Sequence, residues 1–213
     1  MLWIFFLFDL LIVLAHIFLR RSLGFFDLDK EGNLASLYAG IKLWMGATGA
    51  LFYAWYLQRT ASSRILVWAW GACAVMLAYL GLDDMMAIHE RLGFVINNRL
   101  HINGYYGESF NWLIYFLPLA LLGAGVLYMV AKNLWHSHRA SALFIGVGTC
   151  IMILSLLVEA YGGYLLTHPP FSVPYYYVLI VTEESLEMIG TSCVVGGILY
   201  AMRRVSKERL KFS

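Results

Sequence analysis

Long apolar runs separated by short polar stretches follow one another along the whole chain. A helix needs about 20 mostly apolar residues to cross a bilayer. Six runs meet or approach that length: residues 2–19, 37–57, 65–88, 110–131, 140–166 and 175–202. The longer ones include interfacial ends. The stretches between them are short, none has the composition of a domain linker, and there is no internal repeat or low-complexity segment. The pattern predicts a single all-α domain over residues 1–213, a polytopic membrane bundle with six transmembrane helices. The first run has no basic flank ahead of it and no small-residue cleavage site, so it reads as a retained anchor rather than a signal peptide.

Composition strengthens this picture. The chain is 61% hydrophobic and 13% charged, whereas soluble domains carry roughly 25% charged residues. Its 7 Trp and 14 Tyr suit the two membrane–water interfaces, where amphipathic rings collect. Cys73, Cys150 and Cys193 all fall within apolar runs and form no CxxC pair. They read as small buried hydrophobes. A net charge of +2, with no basic cluster interleaved with aromatics, argues against nucleic acid as a partner. Membrane lipids are the expected surroundings, with other membrane subunits or a homo-oligomer as further partners.

Charge sets the expected orientation, because cytoplasmic loops are enriched in Lys and Arg. With the N-terminus inside, the inner segments carry Arg59, Arg64, Lys132, Arg139, Arg203, Arg204, Lys207, Arg209 and Lys211. The outer segments carry Arg20, Arg21, Lys30, Arg91 and Arg99, and Lys42 lies within a span. The balance places both termini in the cytoplasm, although the Arg20–Arg21 pair opposes it for the first helix. The expected location is a bacterial or archaeal cell membrane. Gly46, Gly49, Gly123, Gly125, Gly146, Gly148, Gly190, Gly196 and Gly197 lie within the spans and permit close helix approach in lipid. Pro118 is expected to kink the fourth helix.

The acids are distributed unevenly. Asp83, Asp84 and Glu90 fall on the third helix, Glu159 on the fifth, and Glu183, Glu184 and Glu187 on the sixth. A carboxylate in hydrocarbon persists only when paired, neutralised or coordinated. Counting at 1.5 Å per residue from the inner basic residues puts Asp83, Glu159 and Glu183 about 30 Å away, near the outer rim of the apolar core. Glu187 comes about one turn deeper. On a helical wheel Glu183, Glu184 and Glu187 share a 100° arc, and Asp83 and Glu90 lie nearly in line. His16, Lys42, Asp84, Glu108 and Asn111 are expected as accessory groups at the same rim.

Lys42 alone cannot balance so many carboxylates, which leaves protons or metal ions. Carboxylates and histidine on facing helices are the donors of two-metal bundle sites. The expected ligands are Asp83, His89, Glu90, Glu159, Glu183, Glu184 and Glu187. They would hold one or two divalent ions, iron or manganese in preference to zinc or copper. The chain lacks the Glu-x-x-His motif of di-iron bundles. It also lacks a G-x-S-x-G elbow, an H-E-x-x-H pair, a phosphate loop and a dinucleotide fingerprint. Three function classes follow. The first is a metal-dependent membrane oxidoreductase or hydroxylase acting on a lipidic or small apolar substrate from the outer face. The second is a non-catalytic subunit of a larger membrane complex. The third is a proton- or cation-coupled transporter, which the scarcity of ionisable residues in the inner half of the spans disfavours.

Overall fold

A computed structural model describes residues 2–20, 23–28, 33–60, 62–100, 112–167 and 173–209. The described chain is all-helical, with seven α-helices. They are α1 (Leu2–Leu19), α2 (Leu34–Arg59), α3 (Arg64–Met86), α4 (Ile88–Leu100), α5 (Trp112–Leu134), α6 (Arg139–Thr167) and α7 (Val173–Arg209). By length and composition, four of them, α3, α5, α6 and α7, can cross a membrane, and α1 is a shorter apolar helix.

Helices α2, α3, α5, α6 and α7 close a ring of neighbours, and α1 lies outside it against α7. The ring interior is packed apolar. Leu43, Trp70, Leu77, Val130, Ile145 and Ile198 are each at most 1% exposed. Tyr53 stacks on Trp70 with ring centroids 4.2 Å apart. The Trp70 indole donates to Asn133 Oδ1 at 3.1 Å, which satisfies the one polar atom that this large side chain brings into the core.

Close approach of helix backbones holds the ring together. A Cβ placed on Gly148 would lie 2.6 Å from the Gly190 carbonyl, across the α6–α7 seam. The Gly40 and Gly81 backbones make the equivalent contact between α2 and α3. Gly125 and Gly146, expected as packing positions, would meet nothing within 4 Å. Pro118 sits inside α5, and the helix continues past it.

Most helix ends shift from the hydropathy reading, α7 furthest, to Arg209 instead of 202, and two of the shifts have a visible local cause. The start of α2 extends back to Leu34, because the Asn33 side chain accepts hydrogen bonds from the Ala35 and Ser36 amides at 2.8 and 3.1 Å. The third helix stops at Met86, short of 88, and α4 follows it where a loop was expected. The break is at Ala87, which adopts a left-handed conformation with φ 51°. Asp83 fixes the break from both sides. Its carbonyl accepts from Ala87 N at 2.8 Å, and its Oδ1 accepts from His89 N at 2.8 Å. One residue therefore ends α3 and caps α4. L-residues carry a steric cost in this conformation that glycine avoids. We expect Ala87→Gly to raise stability by about 1 kcal/mol and Ala87→Val to lower it. Thermal denaturation of the two purified variants checks this, and equal melting temperatures would count against it.

Candidate functional site

The polar groups form two linked centres. The deeper one joins α1, α2 and α7. Lys42 Nζ donates to Asp9 Oδ1 at 3.1 Å, to the Met188 carbonyl at 2.9 Å and to Ser192 Oγ at 3.0 Å. Ser192 Oγ in turn donates to Asp9 Oδ2 at 2.6 Å. Lys42, Asp9 and Ser192 are buried. All three ammonium protons are used, which is the condition for holding a charge away from water. Sequence reading placed Lys42 as a counterion to the rim acids. Its direct partner is instead Asp9, with Asp84 and Glu187 within electrostatic reach.

The second centre sits at the α3–α4 break. His89 Nδ1 lies 2.7 Å from Asp83 Oδ2, and both side chains are largely buried. Asp83 thus binds His89 twice, at its backbone amide and at its ring, which fixes the plane of the imidazole. With Nδ1 committed to a carboxylate, proton exchange or metal binding at His89 runs through Nε2. Glu187 of α7 is half-buried and within electrostatic reach of His89, Asp83 and Lys42. It is thus within electrostatic reach of both centres.

The remaining expected ligands differ in exposure. Glu90 and Asp83 were expected in line on one helix; the break at Ala87 removes that alignment, and Glu90 is exposed. Glu159, Glu183 and Glu184 are half-buried. Ser155 Oγ donates to the Glu183 carbonyl at 3.2 Å, so Glu159 lies about one turn beyond that contact along α6. Glu108 and Asn111 fall outside the described residues. Among the described residues, no three His, Cys, Asp or Glu side chains form a group able to hold a metal ion. Met85 packs on Gly40, and Met188 lies in an apolar cluster with Ile12, Leu28 and Ala35, so both side chains serve packing.

His16 serves the end of α1. It is fully buried, and its Nδ1 accepts from Leu28 N at 2.9 Å. Its ring stacks on Tyr177 at 5.5 Å, and the Arg20 guanidinium sits 3.5 Å over the same Tyr177 ring. These contacts fold the chain after α1 back against α7.

Among the described residues of α2, α3, α5, α6 and α7, no Asp, Glu, Lys or Arg is buried below the Lys42 centre. Beyond the Lys42 centre the facing surfaces of the ring helices are the packed apolar core described above. The arrangement has the chemistry of an acid–base centre near one end of the bundle, over a packed apolar core. A family profile described as a domain of unknown function (DUF8692) matches residues 4–201. No curated protein and no solved structure matches the chain.

Proposed function

We propose that this chain, which belongs to the DUF8692 family, is a six-span membrane enzyme with a one-sided acid–base centre built from Asp83, His89 and Glu187. Its substrate is a lipid or another small apolar molecule reaching the centre from the outer face, and both termini lie on the cytoplasmic side. The observation that carries this reading is the 2.7 Å contact between Asp83 and the His89 ring, beside a carboxylate on a second helix. In such a dyad the carboxylate fixes the tautomer and stabilises the imidazolium, so the other ring nitrogen can take and return a proton. Glu187 would handle the complementary proton. Asp9 and Lys42 support the crossing of α1 and α2, because they meet on α7, itself long and apolar enough to span.

The packed apolar core favours a centre open to one side over a transport pathway, which needs polar groups through the full depth. A metal-dependent oxidoreductase is the second reading. It is favoured by the Asp83–His89 contact, since a carboxylate commonly orients a metal-bound imidazole in this way. Iron or manganese would then bind His89 and Glu187, with Glu183, Glu184, Glu159 and Glu90 as further donors drawn in on binding.

Lipid profiling of cells expressing the wild-type chain, His89→Gln and Asp83→Asn tests the first reading. A lipid change produced by wild type and lost in both variants is expected. Identical profiles for all three would sink it. Elemental analysis of the purified protein separates the two readings. Stoichiometric iron or manganese that falls in His89→Gln and Glu187→Gln selects the metal-dependent one.

A further inference from the structure

The end of the bundle opposite the Asp83–His89 centre carries a different chemistry. Here α1 begins, α2 and α5 end, α3 and α6 begin and α7 finishes. Leu57, Leu134, Ala142 and Val205, at the ends of α2, α5, α6 and α7, belong to one core cluster. Four cations at this end sit over aromatic rings. Arg59 lies 5.7 Å from the Trp55 centroid and Lys132 5.9 Å from Tyr128. Arg139 lies 5.0 Å from Trp135 and Arg204 5.2 Å from Tyr200. Arg204 also donates to the Tyr200 hydroxyl at 2.9 Å.

Each cation is exposed, and three of the rings, Trp55, Tyr128 and Trp135, are exposed as well. An exposed Trp or Tyr at the end of an apolar helix marks headgroup depth. A cation held over that ring is therefore held at the same depth. For Arg59, Lys132 and Arg139 the sequence offers no neighbouring acid: residues 51–69 and 126–142 contain no Asp or Glu, and along α7 Glu208, four residues after Arg204, is the first acid after Glu187.

We propose that these four cation–aromatic pairs form a collar that binds the headgroups of anionic phospholipids. The pairs stand on α2, α5, α6 and α7 and on the α5–α6 connection, so they are distributed around the bundle. A distributed, outward-facing set of cations fits a leaflet of lipids, each phosphate meeting one or two guanidinium or ammonium groups. A soluble polyphosphate would need the cations gathered into one concave site. The collar is independent of the acid–base centre and lies at the other end of the molecule.

Native mass spectrometry of the full chain, released from nanodiscs of mixed phosphatidylglycerol and phosphatidylcholine, tests the collar. Preferential retention of phosphatidylglycerol is expected. It should weaken by about fivefold per cation removed and vanish in the R59Q/K132Q/R139Q/R204Q variant. Equal retention of the two lipids by wild type, or an unchanged preference in the fourfold variant, overturns the proposal. If that variant does not fold, salt titration of the wild type decides. Exposed charge pairs are screened at about 0.5 M salt, so a preference that survives it also overturns the collar. Displacement of bound phosphatidylglycerol by soluble tripolyphosphate at equal concentration would do the same, by assigning these cations to a free polyanion.

Discussion

Lys42→Met should cost the bundle about 3–5 kcal/mol, and adding Asp9→Leu to it should recover most of that loss. Removing the ammonium leaves the Asp9 carboxylate buried, with the uncharged Ser192 and Tyr38 hydroxyls beside it and no cation. Removing both partners leaves no charge to compensate. The size of the effect reflects how α1 is attached. Helix α1 stands outside the ring and packs mainly on α7, while Trp3, Leu10 and Phe18 face outward at 67%, 55% and 74% exposure. In lipid, apolar surface gains little by moving from acyl chains to another helix, so interhelical hydrogen bonds take a larger part in association. Two bonds to Asp9, from Lys42 and Ser192, tie α1 to the ring, and the Tyr38 hydroxyl adds a third to the Phe5 carbonyl at 3.1 Å; Lys42 is itself held on α7 by Met188 and Ser192. Denaturation of single and double variants in one detergent gives the answer. A single variant as stable as wild type would show that the tie is dispensable. A double variant no better than the single would show that the hydrogen bonds themselves, and not the relief of a buried charge, hold α1 in place.

Which parts of this molecule the sequence reveals depends on whether a feature is local or tertiary. Helix α1 coincides with the apolar run at residues 2–19, because a lone apolar run needs only hydropathy to define its ends. The Met85-Met86-Ala87-Ile88 stretch, by contrast, contains no Gly or Pro. An apolar count runs straight through it, and the helical wheel then aligns Asp83 with Glu90. The break depends on Asp83 reaching forward to the His89 amide, a contact that composition does not signal. The same contact makes Asp83 and His89 a pair and leaves Glu90 outside. Helix α4 was missed because a search for 20-residue apolar runs passes over 13 amphipathic residues. Lys42 and Asp9 are each visible in the sequence as ionisable groups inside apolar runs. Their pairing was not legible, since it requires the register of α1 against α2 and α7 together. For the acids of α6 and α7, the wheel placed Glu183, Glu184 and Glu187 on one arc. Their depth relative to Glu159 follows from the Ser155–Glu183 contact, which is again a matter of tertiary register.

The glycines separate in the same way, and Gly148→Val is the second large effect expected. A Cβ at Gly148 would stand 2.6 Å from the Gly190 carbonyl and 2.8 Å from both Cys193 Cβ and Val194 Cγ2. The nearest of these is helix backbone, which cannot swing aside as a flexible side chain would. Relief requires α6 and α7 to move apart along the most extensive seam of the ring. Overpacking of this kind costs about 1–3 kcal/mol for a single added group, and the branched valine sits at the upper end. Gly146 is two residues away on the same helix, and a Cβ there would meet nothing within 4 Å. Gly146→Ala should therefore stabilise α6 by about 0.5–1 kcal/mol, because alanine loses less backbone entropy in a helix. From sequence the two positions are alike, small residues in one apolar run. Opposite shifts in melting temperature for Gly148→Val and Gly146→Ala would establish the α6–α7 seam, because only the packing of α7 distinguishes the two sites. Shifts of the same sign would place that seam elsewhere on α6.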